Sequence, residues 1–285
     1  MTTFDQDDGK QYGEYQDDDP QGDGLVRIQW RHGDKKNKSA GFFFLAKEGT
    51  PDGFVPGTAW TAHEEYFEST DKTVNGWKAE QLPMAIICAR SQPYIRGAQG
   101  AQPVWLDSWP KDSADSIAMH CDVLLIADGL QELGVVKWAT NGSTVAFAII
   151  GRADPKRDPQ GGILHRIREE VLQAADVAAK IAYRKKKKLY WLFWVTIATE
   201  RDPKGQIVYT PTKGPMVTIP RVQLPPTIDR AWLVENFVGQ GTATYGEEMR
   251  SQYDAWRLTK QGNEPVTPTA GGRNVPQAIE EDLPF

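Results

Sequence analysis

The sequence predicts a mainly β fold of the α+β class, with one folded body between two acidic, disordered ends. Several short runs alternate apolar and polar residues, as the strands of a half-buried sheet do. One longer stretch repeats apolar residues every three or four positions, as an amphipathic helix does. The 285 residues are 40% hydrophobic and include 10 Trp, 9 Tyr and 10 Phe, which is enough apolar material for one large core.

Composition and charge divide the chain into four segments. We assign residues 1–23 to a disordered acidic arm, 24–260 to the folded body, 261–279 to a flexible linker and 280–285 to an acidic tip. The arm holds eight acids and one lysine, and the linker and tip together hold four acids and one arginine. Since the whole chain carries −5, the body is left with +5. A basic body suits a protein that binds a polyanion, with the acidic ends competing for its surface; two solubilising tails are the alternative.

The first half of the body is predicted to be mostly strands. Residues 25–31 (LVRIQWR) alternate, residues 32–41 (HGDKKNKSAG) turn the chain, and residues 42–46 (FFFLA) form the next strand. Further strands are predicted at 73–79, 84–90, 118–127 and 134–139. Asp128 and Gly129 are a turn signal between the last two of these strands, which therefore favour a hairpin.

The second half is predicted to contain a loop, a helix and more strands. Residues 91–116 are rich in Pro, Gly, Asp and Ser and hold Trp105 and Trp109, so we expect a long loop. The helix has its apolar positions at Ile163, Ile167, Val171, Ala174, Ala178 and Ile181. The basic run 183–188 ends the helix, and an apolar strand at 189–198 follows. Strands at 206–210 and 216–220 and short helices at 228–238 and 246–258 complete the prediction.

The order of strands, helix and strands is compatible with an OB-like barrel, which often places a helix between its third and fourth strands. The predicted strands exceed five, so an OB core would carry embellishments. Other α+β folds fit the same order.

The last six residues place three acids, an aliphatic residue, a proline and a terminal phenylalanine in that order: Glu280, Glu281, Asp282, Leu283, Pro284 and Phe285. This tip resembles that of bacterial and phage single-stranded DNA-binding proteins, where acids followed by Ile-Pro-Phe recruit replication, recombination and repair enzymes. The resemblance implies that the six residues bind such an enzyme. The Phe285 ring and α-carboxylate would enter an apolar pocket with Arg or Lys at its rim. An acidic tail that only solvates the chain is the alternative.

The junction at 184–194 (RKKKKLYWLFW) joins a basic run to an aromatic strand. Cations at the mouth of such a groove hold phosphates, and rings on a strand face stack on bases. The candidate ssDNA-binding residues here are Arg184, Lys185, Lys186, Lys187, Lys188, Tyr190, Trp191 and Trp194. The alternative is a solvated helix end, which the negative end of the helix dipole favours, followed by a strand with both faces buried.

A second basic group combines a polar strand face with the turn that follows it. Its candidate ssDNA-binding residues are Arg27, Arg31, Lys35 and Lys36, with Phe43 as a stacking ring and Lys38 beside them. Three successive phenylalanines follow the turn, and at least one must point away from its neighbours. The second wall of a strand-binding groove and a solvated hairpin tip are equally good interpretations.

Patterns typical of enzymes are poor in this chain. It has no GxxxxGK[ST] loop and no HExxH pair, and His63 and His120 stand alone in the sequence. Cys88 and Cys121 lie among apolar residues, which predicts buried free thiols in an intracellular protein. We therefore expect no enzyme activity, no metal and no cofactor.

No N-terminal apolar run predicts a signal peptide, and no stretch is long enough to span a bilayer. We therefore expect a cytoplasmic, nucleoid-associated protein of a bacterial cell, without a membrane partner.

A weaker resemblance lies near the end of the body. The segment WLVENFVG (232–239), after a Pro-rich stretch, is similar to the closing segment of uncharacterised proteins of cyanobacteria and their mobile elements. It implies no function, but it indicates a body that differs from the standard single-stranded DNA-binding fold.

Together these patterns predict a non-enzymatic single-stranded DNA-binding protein of a bacterium, phage or plasmid. It would coat the strand by phosphate contacts and base stacking and recruit replication, recombination or repair enzymes through its tip. A homo-oligomer is left open. The alternatives are a strand-annealing or recombination-mediator protein, an adaptor that binds an enzyme but no DNA, and a nuclease using the loop aspartates.

Overall fold

The computed structural model describes residues 25–67, 71–95, 104–106, 117–140, 143–156, 158–179, 189–212 and 216–258. The predicted acidic arm, linker and tip lie outside these ranges, as do Arg184, Lys185, Lys186, Lys187 and Lys188.

Within the described ranges the chain is mainly β with a few helices. The strands are β1 (Arg27–Arg31), β2 (Phe42–Ala46), β3 (Thr61–Phe67), β4 (Lys72–Ala79), β5 (Gln81–Ile95), β6 (Val104–Trp105), β7 (Ile117–Ala127), β8 (Val136–Thr140), β9 (Val195–Thr199), β10 (Thr210–Pro211), β11 (Met216–Val217) and β12 (Pro220–Gln223). The helices are α1 (Ser143–Ile150), α2 (Ile163–Arg166), a π-helical turn (Ile167–Val171), α3 (Leu172–Ala179), α4 (Arg230–Glu235) and α5 (Gln240–Leu258). Short 3₁₀ turns occur at Lys47–Gly49, Gln131–Leu133 and Tyr190–Leu192.

One large sheet organises the molecule, in the order β12-β9-β5-β7-β8-β1-β2-β4-β3, with β6 paired to β5. Its neighbours are antiparallel except β1 and β8, which are parallel. The sheet curls into a half-barrel. The curl brings β2 to β9, although several strands separate the two along the sheet: the Gly41 N–H donates to Thr199 Oγ1 at 2.9 Å. A mainly β, barrel-like fold is therefore confirmed.

The larger core fills the inside of the curl. Ile28, Phe43 and Trp138 are fully buried there, and the Phe43 ring meets the Trp138 ring edge-on at 5.1 Å. The apolar stripe of α2, the π-helical turn and α3 packs on the same core through Ile163, Ile167, Val171 and Leu172. Ile163, Ile167 and Val171 are positions that the helical periodicity predicts as buried, so that helix is confirmed, with a π-helical turn inside it.

A smaller core lies on the outer face of the sheet. Leu124 and Ile126 of β7 pack there against Trp191, Val238 and Tyr245. The helix α5 therefore packs on the face of the sheet opposite to the face that α1–α3 cover.

Several predicted boundaries need correction. The predicted loop 91–116 is strand at both Ser91–Ile95, where β5 continues to pair with β7, and Val104–Trp105. The predicted strand 189–198 begins only at Val195, because Tyr190–Leu192 is a 3₁₀ turn. That turn sends Tyr190 into the larger core and Trp191 into the smaller one, which explains why both faces of the segment are apolar.

Two elements escaped the pattern. β3 is mostly exposed, so it has no apolar alternation, and α1 is apolar on nearly every side, so it has no helical period. The hairpin predicted around Asp128 and Gly129 is present as an antiparallel β7–β8 pair, but the 3₁₀ turn Gln131–Leu133 lengthens its loop.

Candidate functional site

Two loops meet at one end of the curled sheet. Residues 32–41 join β1 to β2, and residues 200–219 join β9 to β12. The Lys35 N–H donates to Met216 O at 3.2 Å, and the Thr218 N–H donates to Gly33 O at 3.1 Å. In return, Thr218 Oγ1 accepts the Gly33 N–H at 2.7 Å. We call this surface, residues 32–41, 200–212 and 216–218, the loop platform.

Close packing holds the loop platform to the core. A β-carbon at Gly33 would collide with Ser39 O, and one at Gly41 would collide with the Trp30 ring and Thr218 Oγ1. Only glycine fits at these two positions, because neighbouring backbone and core atoms occupy the space of a side chain. The loop platform is therefore placed by the fold rather than by its own flexible side chains.

The two aspartates of the loop platform bind the backbone of their own turns. Asp34 Oδ1 accepts the Lys36 N–H at 2.8 Å, and Asp202 Oδ1 accepts the Lys204 N–H at 2.9 Å and the Gln206 N–H at 2.8 Å. These are Asx-type turns, in which a carboxylate satisfies main-chain donors. Each acid is thereby held at the base of a turn that carries at least one exposed lysine.

The basic residues of the loop platform point to solvent. Lys35, Lys36, Lys38, Arg201 and Lys204 are all exposed. The third acid of these loops, Glu200, faces inward and binds Arg221 Nε at 3.1 Å. The exposed surface is therefore dominated by cations, and such a surface attracts polyanions.

Two rings accompany these cations. His32 is exposed, and its Nδ1–H donates to Thr218 O at 2.8 Å. Tyr209 is partly exposed, and its hydroxyl donates to Ser39 O at 3.3 Å. The loop platform thus combines cations with ring faces, which are the two features that bind an unpaired nucleic-acid strand.

The predicted second basic group is divided between two places. Lys35 and Lys36 lie on the loop platform, whereas Arg27 and Arg31 lie on the outer face of the sheet. Arg31 Nε binds Glu65 Oε1 at 2.7 Å, and its guanidinium lies 4.5 Å from the centre of the Phe67 ring. Arg31 therefore links β1 to the edge strand β3, which is a structural role.

Arg27 lies next to a buried polar cluster on the same outer face. In the sheet register Arg27 is the partner of Lys137, which is 7% exposed. Asp122 accepts from His120 Nε2 at 2.8 Å and from Arg90 at 3.3 Å. Burial favours the neutral carboxyl of Asp122, but His120, Lys137 and Arg90 outweigh it and hold its pKa well below the usual range.

For three residues the predicted stacking role is wrong, because the structure buries them. Phe43 is fully buried, Tyr190 is 6% exposed and Trp191 is 2% exposed, so none can offer a face to a base. Each fills a core instead, because burying a large aromatic ring stabilises the fold. Trp194 is half-buried and packs against the smaller core.

The sequence patterns did not single out Arg201, Lys204, Tyr209 or His32 as candidates. Residues 201–206 (RDPKGQ) carry a signal similar to that of residues 32–41, since both place a turn-forming Asp next to basic residues. What the sequence did not reveal is that the two turns lie side by side.

A separate groove of about 520 Å³ lies between α3 and the segment that leads into α4. Its apolar lining includes Val177, Ile228 and Leu233. Two acids on its wall form ion pairs with arginines. Arg166 Nε lies 2.6 Å from Glu170 Oε1, and Arg168 Nε lies 2.8 Å from Glu169 Oε1.

No helix within the described ranges is long and apolar enough to cross a membrane. The same residues contain no group of three or more His, Cys, Asp or Glu arranged to hold a metal ion. Cys88 and Cys121 are buried free thiols, as predicted, and burial raises the pKa of Cys121 well above the ordinary thiol range.

The chain matches no protein-family model, and neither a curated protein nor a solved structure shows significant similarity to it.

Proposed function

We propose that the chain is a single-stranded DNA-binding protein whose loop platform holds the backbone phosphates. The observation that carries the proposal is the set of exposed cations on two loops that backbone hydrogen bonds fix to each other. Cations carried on a fixed backbone bind phosphates with less loss of conformational entropy than cations on a flexible loop, and each contact releases a counterion.

The position of the loop platform in the fold supports the same function. In OB folds, oligonucleotides bind at the loop between the first two strands and the loop between the last two. Residues 32–41 join the first two strands of this sheet, and residues 200–219 join β9 and β12, the last two strands of the same sheet in chain order. An OB-like arrangement with added strands is therefore our proposal for the barrel.

The acidic tip adds a recruiting function to the proposal. Glu280, Glu281, Asp282, Leu283, Pro284 and Phe285 would bind a replication, recombination or repair enzyme while the body holds the strand. The support for this part is the sequence of the tip alone.

The test is a salt titration of strand binding. The combined variant Lys35→Gln, Lys36→Gln, Lys38→Gln and Lys204→Gln is compared with wild type on oligo-dT of about 30 nucleotides, which exceeds the roughly 4–16 nucleotides of one strand-binding site. We expect binding at least about tenfold weaker at low salt. The slope of log K against log salt should become shallower by about 0.7 for each phosphate that the variant no longer neutralises.

The control removes the same charge elsewhere on the body. Lys47, Lys72, Lys156 and Arg230 are exposed and lie outside the loop platform, so their replacement by Gln should leave most of the affinity and the slope intact. Equal reductions of affinity in both variants would show that the loss reflects net charge and not the loop platform. Absence of strand binding by wild type at low salt would contradict the proposed function and favour an adaptor that binds an enzyme only.

A further inference from the structure

Exposed aromatic rings are few among the described residues, and only some lie near cations. Tyr66 is 52% exposed, but its hydroxyl donates to Asp71 at 2.7 Å, beside the acids of β3. Phe147 is 46% exposed on α1, which is not part of the loop platform. Tyr209 is partly exposed and belongs to the loop platform itself, so it differs from both in its charged surroundings.

The backbone on both sides of Tyr209 is fixed. The Val208 N–H donates to Glu200 O at 2.9 Å, and Thr210 pairs with Val217 in the β10–β11 ribbon. Val217 in turn bridges to Asp34 of the other loop. The residue therefore sits where the two loops of the platform join.

The ring is held as well as the backbone. Its hydroxyl donates to Ser39 O, and Ser39 belongs to the turn closed by its own N–H donating to Asp34 O at 3.1 Å. Lys36 and Lys38 stand on that same turn. A ring fixed beside phosphate-binding lysines can accept a base with little further ordering, since a base lies a short distance from its own phosphate.

We infer that Tyr209 stacks on a base of the bound strand, and that the ligand of the loop platform is a single strand with accessible bases. This inference rests on the proposed function. In a duplex the bases stack on each other and their faces are covered, so a ring on the protein surface adds nothing to duplex binding. Tyr209 thereby gives the platform a preference that its cations alone do not have, since both single and double strands carry phosphates.

The test compares a strand that has bases with one that lacks them. Wild type is titrated with oligo-dT and with an abasic tetrahydrofuran strand of the same length and charge. We expect oligo-dT to bind about 5- to 150-fold more tightly, the range for one stacked base. The variant Tyr209→Leu should lose most of this difference on oligo-dT but keep wild-type affinity for the abasic strand and the wild-type salt slope.

Two further variants separate stacking from folding. Tyr209→Phe keeps the ring and removes only the bond to Ser39, so it should stay within about threefold of wild type on oligo-dT. Tyr66→Leu removes a more exposed ring in acidic surroundings and should leave oligo-dT affinity unchanged. The inference is overturned if wild type binds the two strands equally, or if Tyr209→Leu weakens both alike. A wild-type protein that binds neither strand would instead contradict the proposed function.

Discussion

At the residue scale, Asp122 decides how the outer face of the sheet is held together. Its carboxylate is 4% exposed and faces His120 and Arg90, so its removal leaves the Arg90 guanidinium and the His120 ring without their shared anion. We expect Asp122→Asn to lower the free energy of unfolding by about 3 kcal/mol at pH 7, measured by urea denaturation.

The pH dependence of the same group follows from its lowered pKa. A carboxyl whose pKa is lower in the folded state stabilises the fold above its unfolded pKa, near 4, and loses that contribution as the pH falls toward the folded value. Wild type and Asp122→Asn should therefore differ most near neutral pH and converge in acid. A constant difference from pH 7 down to about 3 would contradict the ionic role of Asp122.

At the element scale, α5 depends on one glycine that faces the sheet. A β-carbon at Gly246 would collide with the Trp191 ring, whose Nε1–H also donates to Ala243 O at 3.2 Å. Helix propensity alone predicts that Gly246→Ala stabilises the protein by about 1 kcal/mol. We expect the opposite sign, a decrease in stability of about 1–3 kcal/mol, because the ring is buried and cannot retreat.

The check is thermal or urea unfolding of Gly246→Ala beside Gln252→Ala. Gln252 is exposed on the same helix, so its replacement should change stability by less than about 0.5 kcal/mol. If Gly246→Ala were the more stable protein, the contact between α5 and Trp191 would be looser than the packing indicates.

A second element-scale prediction concerns the link between the two loops of the platform. Thr218 is fully buried, and its hydroxyl accepts the Gly33 N–H. Thr218→Val keeps the shape but leaves that donor unsatisfied, which costs about 1–3 kcal/mol. We expect a matching decrease in stability together with weaker oligo-dT binding at low salt. The control is Thr50→Val, whose hydroxyl bond to Lys47 O is exposed and should matter little. A destabilised Thr218→Val protein with full affinity would contradict the role of the loop platform in strand binding.

At the scale of the whole molecule, the acidic tip is predicted to compete with DNA for the basic loop platform. Deleting residues 280–285 should raise oligo-dT affinity at low salt and change it little at high salt, because screening removes the competition. Deleting Phe285 alone should raise it less, yet both deletions should abolish capture of a partner enzyme from a host lysate. Partner capture that survives both deletions would show that the tip does not recruit.

The sequence by itself determined the elements that rest on local periodicity or local charge. The strand at 25–31 follows from alternating apolar and polar side chains, and the strand at 42–46 from a continuous apolar run. The apolar stripe of α2 and α3 follows from apolar residues three or four positions apart, which lie on one face of a helix. The basic turn at 32–41 was also evident, since Asp, Gly and Lys in sequence favour an exposed turn.

Only the tertiary structure decided which aromatic residues are available to a ligand. Phe43, Tyr190 and Trp191 have the same composition signal as a stacking surface, but the curl of the sheet and the packing of α5 bury them. Conversely, the turn that holds Lys204 has a pattern similar to that of residues 32–41, but nothing in the sequence places it or Tyr209 beside that turn. They lie some 170 residues from the turn at 32–41, and the hydrogen bond from Tyr209 to Ser39 joins their loop to that turn. Contacts between residues so far apart in the chain depend on how the sheet closes, and no local pattern encodes that closure.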